Sequence, residues 1–229
     1  MKLKPNNIYQ GDCLELMKDI PDNSIDLVLT DPPYGINYQS GMRVISEKFN
    51  KLDNDDDDSR FEVYPEFYRV LKDNTVAIIF CSFKNYAKDY IELDKLFDIK
   101  NCIIWYKRGG GIGDLKNSLL TDYEMAIICH KGNCNIKGKR VGSVWTISKV
   151  NPNLMVHPTE KPIKLILKLI DKFSKKNELI LDPFLGSGTT AVACKELGRK
   201  YIGIEISEEY FNISKYRIER TKVNNNEYF

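Results

Sequence analysis

Glu178-Leu179-Ile180-Leu181-Asp182-Pro183-Phe184-Leu185-Gly186-Ser187-Gly188-Thr189-Thr190 is the stretch that decides the fold. A short apolar run ends in the carboxylate of Asp182, and a Gly-Ser-Gly turn follows. Those glycines let the backbone turn tightly and approach a neighbour closely. A helical run then opens at Thr189 and reaches Leu197, where Gly198 is a natural stop. Strand, glycine turn and helix make one unit of an α/β sheet, with the turn at the carboxyl end of its strand. Ligands of open α/β sheets bind along that edge. Tyr201-Ile202-Gly203-Ile204-Glu205 predicts the next strand.

Outward from this unit the pattern repeats. Ile25-Asp26-Leu27-Val28-Leu29-Thr30 is another apolar run, and it leads into Asp31-Pro32-Pro33-Tyr34. Residues 8–10, 75–81, 103–106 and 123–129 complete seven candidate strands. Their near-continuous apolar character suits parallel strands buried on both faces. Helical spacing is read over 14–20, 61–71, 84–96, 161–174, 189–197 and 207–221, with Ser207 as the N-cap of the last. Strands alternating with helices predict an α/β, doubly wound, mostly parallel seven-stranded sheet in one domain over 1–229. Three stretches resist assignment: 35–60, 109–113 and 131–156. Loops this long in a compact domain are usually functional or disordered.

The chain's 229 residues suffice for one sizeable domain, and 42% hydrophobic with 29% charged is ordinary for a globular protein. No apolar run approaches the ~20 residues that span a bilayer. Residues 1–7 lack the apolar stretch of a signal peptide, so the expectation is a cytoplasmic protein with no membrane contact. Six scattered cysteines without a Cys-x-x-Cys pair, and two histidines, predict reduced thiols and no metal. Cys81, Cys102, Cys129 and Cys194 lie in apolar stretches and read as core residues. A net charge of +2 does not announce a polyanion partner by itself. Clusters are more informative: Lys137, Lys139 and Arg140 form one, and Lys215, Arg217, Arg220 and Lys222 another, the latter read chiefly as solvated surface charge.

Glu205 lies 19 residues beyond Gly186, close to the offset of about 20 at which an acidic side chain takes ribose hydroxyls. The turn nevertheless lacks the third glycine of a dinucleotide fingerprint, and Asp182 would repel a pyrophosphate. A nucleoside with a cationic amino-acid tail fits better, which points to S-adenosylmethionine: Asp182 accepts from the ammonium and Glu205 from the ribose. In Asp31-Pro32-Pro33-Tyr34 the prolines fix φ and remove two N–H donors. The Asp31 carboxylate and the carbonyls of Asp31 and Pro32 are then rigid acceptors, and Tyr34 supplies a ring for stacking. Acceptors that take both hydrogens of an exocyclic amine free its lone pair for attack on a methyl group.

These motifs resemble those of the DNA amino-methyltransferases, which methylate adenine N6 or cytosine N4. Asp31-Pro32-Pro33-Tyr34 is similar to their catalytic motif, and the stretch from Asp182 to Thr190 to their cofactor motif. His157-Pro158-Thr159-Glu160-Lys161-Pro162 is similar to a segment that flanks the cofactor, and Gly11-Asp12 to a short motif near the cofactor adenine. The catalytic motif precedes the cofactor motif, the order of the family's beta class. The resemblance implies a Rossmann-like methyltransferase fold with one antiparallel strand, here 123–129 paired with 103–106, and a small target-recognition insertion at 131–156. It implies catalysis by Asp31, Pro32, Pro33 and Tyr34. The implied cofactor contacts are Asp12, Asp31, Pro32, Thr159, Lys161, Asp182, Phe184, Gly186, Ser187, Gly188, Thr189 and Glu205. DNA is the expected partner, held by Lys137, Lys139, Arg140 and Trp145, with the target base flipped from the stack toward Tyr34. His157 is expected to order its loop rather than to catalyse. Asp as first residue of the catalytic motif favours adenine N6 within the family. The alternatives are cytosine N4, an RNA or protein-amide substrate, and a non-catalytic DNA-binding protein. Family members often dimerise, and no stretch of this chain marks an interface.

Overall fold

The structure, a computed structural model, describes residues 2–33, 59–109, 116–117, 119–151, 153, 155–157 and 160–223. Eight strands are found among them: β1 (Asn7–Gln10), β2 (Ile25–Thr30), β3 (Leu71–Cys81), β4 (Asp98–Tyr106), β5 (Tyr123–Lys131), β6 (Val144–Thr146), β7 (Leu179–Asp182) and β8 (Lys200–Glu205). They form one sheet in the order β1-β8-β7-β2-β3-β5-β4-β6. β5 runs antiparallel to β3 and β4, with Ile103 opposite Ala126 and Tyr106 opposite Tyr123, and every other pairing is parallel. The antiparallel strand is thus where the resemblance puts it. The eighth strand, β6, corrects the expected seven: Trp145 pairs with Trp105 inside the segment read as loop. At three residues beside Gly142 and Ser143, it carries too little pattern to be read from sequence.

The sheet is covered on both faces. Alternate residues of each strand point to opposite sides, so Leu27 and Leu29 of β2 pack in one cluster and Val28 in the other. The first face carries the helices α4 (Ile163–Phe173), α5 (Thr189–Glu196) and α6 (Glu208–Arg220). Across the sheet lie α1 (Cys13–Met17), α2 (Tyr64–Val70, after a 3-10 turn at Ser59–Val63) and α3 (Tyr86–Asp94). Cys81, Cys129 and Cys194 are buried in these cores, whereas Cys102 is only half-buried. β3 begins at Leu71, earlier than its apolar run, because the register with β2 shifts between Ile25 and Leu27 and Lys72-Asp73-Asn74 loops out. No helix among the described residues is long and apolar enough to cross a membrane.

From β2 the chain continues to β3 on one side, and from β7 to β8 on the other. The strand order therefore reverses between β2 and β7, the topological switch point at which such sheets open a crevice. Both quoted motifs leave the sheet there.

Candidate active site

Thr30, the last residue of β2, donates its hydroxyl to Oδ1 of Asp182, the last residue of β7, at 2.9 Å. This bond ties the strand that delivers Asp31 to the strand that delivers the glycine turn. Phe184 N–H donates to the same Oδ1 at 3.2 Å, and the Thr190 hydroxyl also bonds the carboxylate. Asp182 is 5% exposed, and burial pushes its carboxyl up to about 6 against the lowering effect of these donors. Sequence reading gave Asp182 to a ligand's ammonium. In the structure its charge is turned inward and joins the two loops.

The glycine turn is fixed from three directions. Glu205, at the end of β8, accepts from Gly186 N–H at 2.7 Å and from Ser207 N–H at 2.8 Å. Gly186 sits at φ 54° and Gly188 at φ 86°, in the left-handed region open to glycine. A Cβ on Gly188 would stand 2.7 Å from Cβ of Ser214 on α6. Arg217, also on α6, donates to the Ser187 carbonyl and hydroxyl, both at 2.7 Å, and pairs with Glu160 at 2.8 Å. Glu160 in turn accepts from Val156 N–H at 3.0 Å. His157 lies between the turn and Tyr210, with ring centroids 4.2 Å apart. Burial, with Lys161 and Arg217 nearby, lowers the imidazole to about 3, so it is neutral and packs as a wedge.

Beside the turn stands a chain of charges on the α4 face of the sheet. Lys161, just before α4, is 7% exposed and binds Oδ2 of Asp31. Its Nζ also lies 3.0 Å from Oε2 of Glu124 on β5, and 5.0 Å from the ring centre of Phe80 on β3. Lys107, one residue past β4, closes the row at 2.7 Å from Oε1 of Glu124. Burial alone would neutralise Lys161, but Asp31 and Glu124 outweigh it and hold the ammonium charged. The carboxyl ends of β1, β8, β7 and β2 present Asp12, Glu205, Asp182 and Asp31 in that order. With Asp182 turned inward, the carboxylates of Asp12, Glu205 and Asp31 around a glycine turn disfavour an anionic pyrophosphate and suit a cationic ligand with ribose hydroxyls.

Residues 25–216 match the family described as DNA methylase. The chain belongs to this family. The methylase is 32% identical to the type II methyltransferase M.HinfI of Haemophilus influenzae, over 97% of this chain and 70% of that protein. It is 31% identical to the DNA adenine methyltransferase YhdJ of Escherichia coli, over 93% and 82% of the two chains. The crystal structure of an M1.HpyAVI–SAM complex superposes with a TM-score of 0.71 at 27% identity, covering 93% of this chain and 98% of that one. The chain is an S-adenosylmethionine-dependent DNA amino-methyltransferase. The cofactor fits the residues present. Each Glu205 oxygen accepts one backbone N–H and retains lone-pair capacity, since a carboxylate accepts about four hydrogen bonds. The turn's positive-φ glycines bring backbone close to the crevice.

Most residues expected in the methylase site converge. Asp31, Pro32, Pro33, Phe184, Gly186, Ser187, Gly188, Thr189 and Glu205 lie at the switch point. Asp12 is there too and caps α1, accepting from Glu15 N–H at 3.1 Å. Tyr34 and Thr159 fall outside the described residues. Lys161 differs from expectation in engaging Asp31 and Glu124, which makes it a partner of the catalytic motif.

Of the residues expected to contact DNA, Lys137, Lys139 and Trp145 are engaged by the protein's own groups. β5 is antiparallel, so Lys131 ends opposite Thr75 at the amino end of β3, and the segment after it starts at the wrong edge. Lys137 pairs with Asp171 at 3.0 Å, and Lys172 donates to the Lys139 carbonyl, both at the C-terminal end of α4. Lys137 and Lys139 thus lie toward the edge opposite Asp31. Trp145 is 4% exposed, packs in the core, and donates to the Gly142 carbonyl at 2.8 Å, so its ring is not offered to a base.

Sequence reading missed Glu124, Lys107 and Arg217. A carboxylate inside the apolar run 123–129 was the available signal, because even a half-buried acid there needs a partner. Arg217 was read with the exposed charges of its helix, and nothing local distinguishes it from Arg220, which donates to the Tyr216 hydroxyl at 2.9 Å.

Proposed function

We propose that this methylase transfers the methyl group to N6 of adenine in DNA, with Asp31 and Pro32 as the groups that receive the amine. The bond from Thr30 to Asp182 carries this reading, because it supports a shared crevice for base and cofactor. S-adenosylmethionine, when bound, supplies an electrophilic methyl on sulfur. The protein's own work is positional. The Asp31 carboxylate and the Pro32 carbonyl accept the two amine hydrogens and turn the nitrogen lone pair out of the ring plane. Lys161 keeps Asp31 ionised, so Asp31 serves as an acceptor more than as a strong base. The amine proton becomes acidic only as the nitrogen–carbon bond forms, and a modest acceptor then suffices. Tyr34 stacks on the flipped base in this reading, by its place in the motif.

Adenine is favoured by Asp31 as first motif residue and by the likeness to the E. coli adenine methyltransferase. DNA approaches the carboxyl edge, toward which β4 and β6 deliver the exposed Arg108 and Lys149. The test is to incubate the protein with labelled S-adenosylmethionine and duplex DNA, then digest to nucleosides. N6-methyladenine is the expected product, and N4-methylcytosine as sole product would defeat the adenine assignment.

A further inference from the structure

Glu124 has a cost that the fold alone does not explain. It interrupts the apolar run of β5 with a carboxylate on the same strand face as Ala126 and Ile128, which are core residues. Burial opposes its charge, yet Lys161 and then Lys107 hold its carboxyl below the usual range. A hydrophobic side chain at this position would be less costly if packing were the only demand. What the carboxylate does instead is form an ion pair with Lys161, the same ammonium that binds Asp31. Lys161 is placed by two anions: Asp31 from the end of β2 and Glu124 from β5. Among the described residues, the Phe80 ring from β3, His157 from the segment before α4, and Lys107 across Glu124 also face Lys161. None of these restrains the ammonium by opposite charge.

We infer that Glu124 is a positioning residue for methyl transfer: it anchors Lys161 so that the Asp31 carboxylate is presented, ionised and in fixed orientation, to the target amine. Lys107 is the counter-charge that keeps Glu124 ionised. The inference rests on the role of Asp31 given above. Without Glu124, Lys161 would keep Asp31 as its one remaining anion of this pair, and the orientation of its contact with Oδ2 of Asp31 would no longer be fixed from β5. Misplacement of a reacting contact by about an ångström costs up to about 100-fold in rate.

The experiment is steady-state methylation of DNA by Glu124→Gln, Glu124→Asp and Asp31→Ala, with S-adenosylmethionine binding measured calorimetrically. Glu124→Gln is expected to lose about 10- to 100-fold in kcat, with cofactor affinity and the KM for DNA near wild type. Its kcat should also acquire a basic limb, moved down by about one pH unit or more, because Lys161 has lost one of two stabilising anions. His157 is neutral throughout that range and contributes no limb. Glu124→Asp keeps the charge, and is expected to recover part of kcat with the wild-type pH profile. A wild-type kcat in Glu124→Gln, or a loss of kcat matched by a loss of cofactor affinity, would overturn the inference. If Glu124→Gln does not fold, Glu124→Asp decides: reduced kcat at unchanged cofactor affinity supports the role, and full kcat overturns it. An active Asp31→Ala would instead defeat the assignment of Asp31, whatever the Glu124 variants do.

Discussion

At the scale of single residues, two titrating groups at the site pull stability in opposite directions. The Asp182 carboxyl stands at about 6 in the folded chain, chiefly through burial, against about 3.9 for an exposed aspartate. The folded state therefore binds the extra proton, and this group's contribution to stability is lost as pH rises through 6. His157 stands at about 3, through burial and then the nearby cations, against about 6.5 unfolded. Here the unfolded state binds the proton, and stability is lost as pH falls below 6.5. Relative to wild type, Asp182→Asn is expected to gain stability as pH rises from 5 to 7, since the amide can still accept from Thr30 and Phe184. His157→Gln is expected to gain relative stability as pH falls from 7 to 5. Urea denaturation across that range measures both. Parallel curves for either variant would show that its group does not titrate as its surroundings dictate.

At the scale of elements, the glycine turn and α6 form one mechanical unit. The Gly188 backbone is at φ 86°, and an added Cβ would also stand 3.0 Å from Cα of Ser214. Gly188→Ala is expected to destabilise the protein by about 1–3 kcal/mol from backbone strain alone. Ser214→Gly will not rescue it, because the clash includes main chain; guanidinium melts of the single and double variants check this. Arg217→Met removes the bonds to Ser187 and Glu160 and should weaken S-adenosylmethionine binding about tenfold, or about 1.4 kcal/mol, by calorimetry. Arg217→Lys should recover little, because a single ammonium cannot reproduce the fork in which Nη1 meets Ser187 while Nη2 meets Glu160. Such dependences mark the limit of what sequence shows. The turn at 186–188, its strand and Glu205 are legible because they follow one another along the chain with fixed spacing. Arg217 and Glu124 are not, because their meaning comes from partners 30 and 37 residues away, in Ser187 and Lys161. β6 is illegible for another reason: its three residues pair with β4 by main chain, which leaves no side-chain period to read.

At the scale of the whole molecule, the polarity of the sheet decides where DNA sits. Parallel strands deliver their following loops to one edge, and all four carboxylates of the crevice lie on it. β4 and β6 run with β2, so the residues just after them, Arg108 and Lys149, emerge at that same edge. The antiparallel β5 carries the chain back to the far edge, and takes Lys137 and Lys139 with it. A duplex whose flipped base enters at Asp31 lies across the first edge, and its phosphates meet the cations there. Each phosphate contact contributes about one unit to the slope of log affinity against log salt. Arg108→Gln combined with Lys149→Gln is therefore expected to weaken DNA binding and flatten that slope by about two. Lys137→Gln combined with Lys139→Gln should leave the slope unchanged, although it removes the same formal charge. Fluorescence anisotropy with a labelled duplex at stepped salt concentrations separates the two pairs, and the reverse pattern would put the DNA on the opposite edge from the catalytic motif.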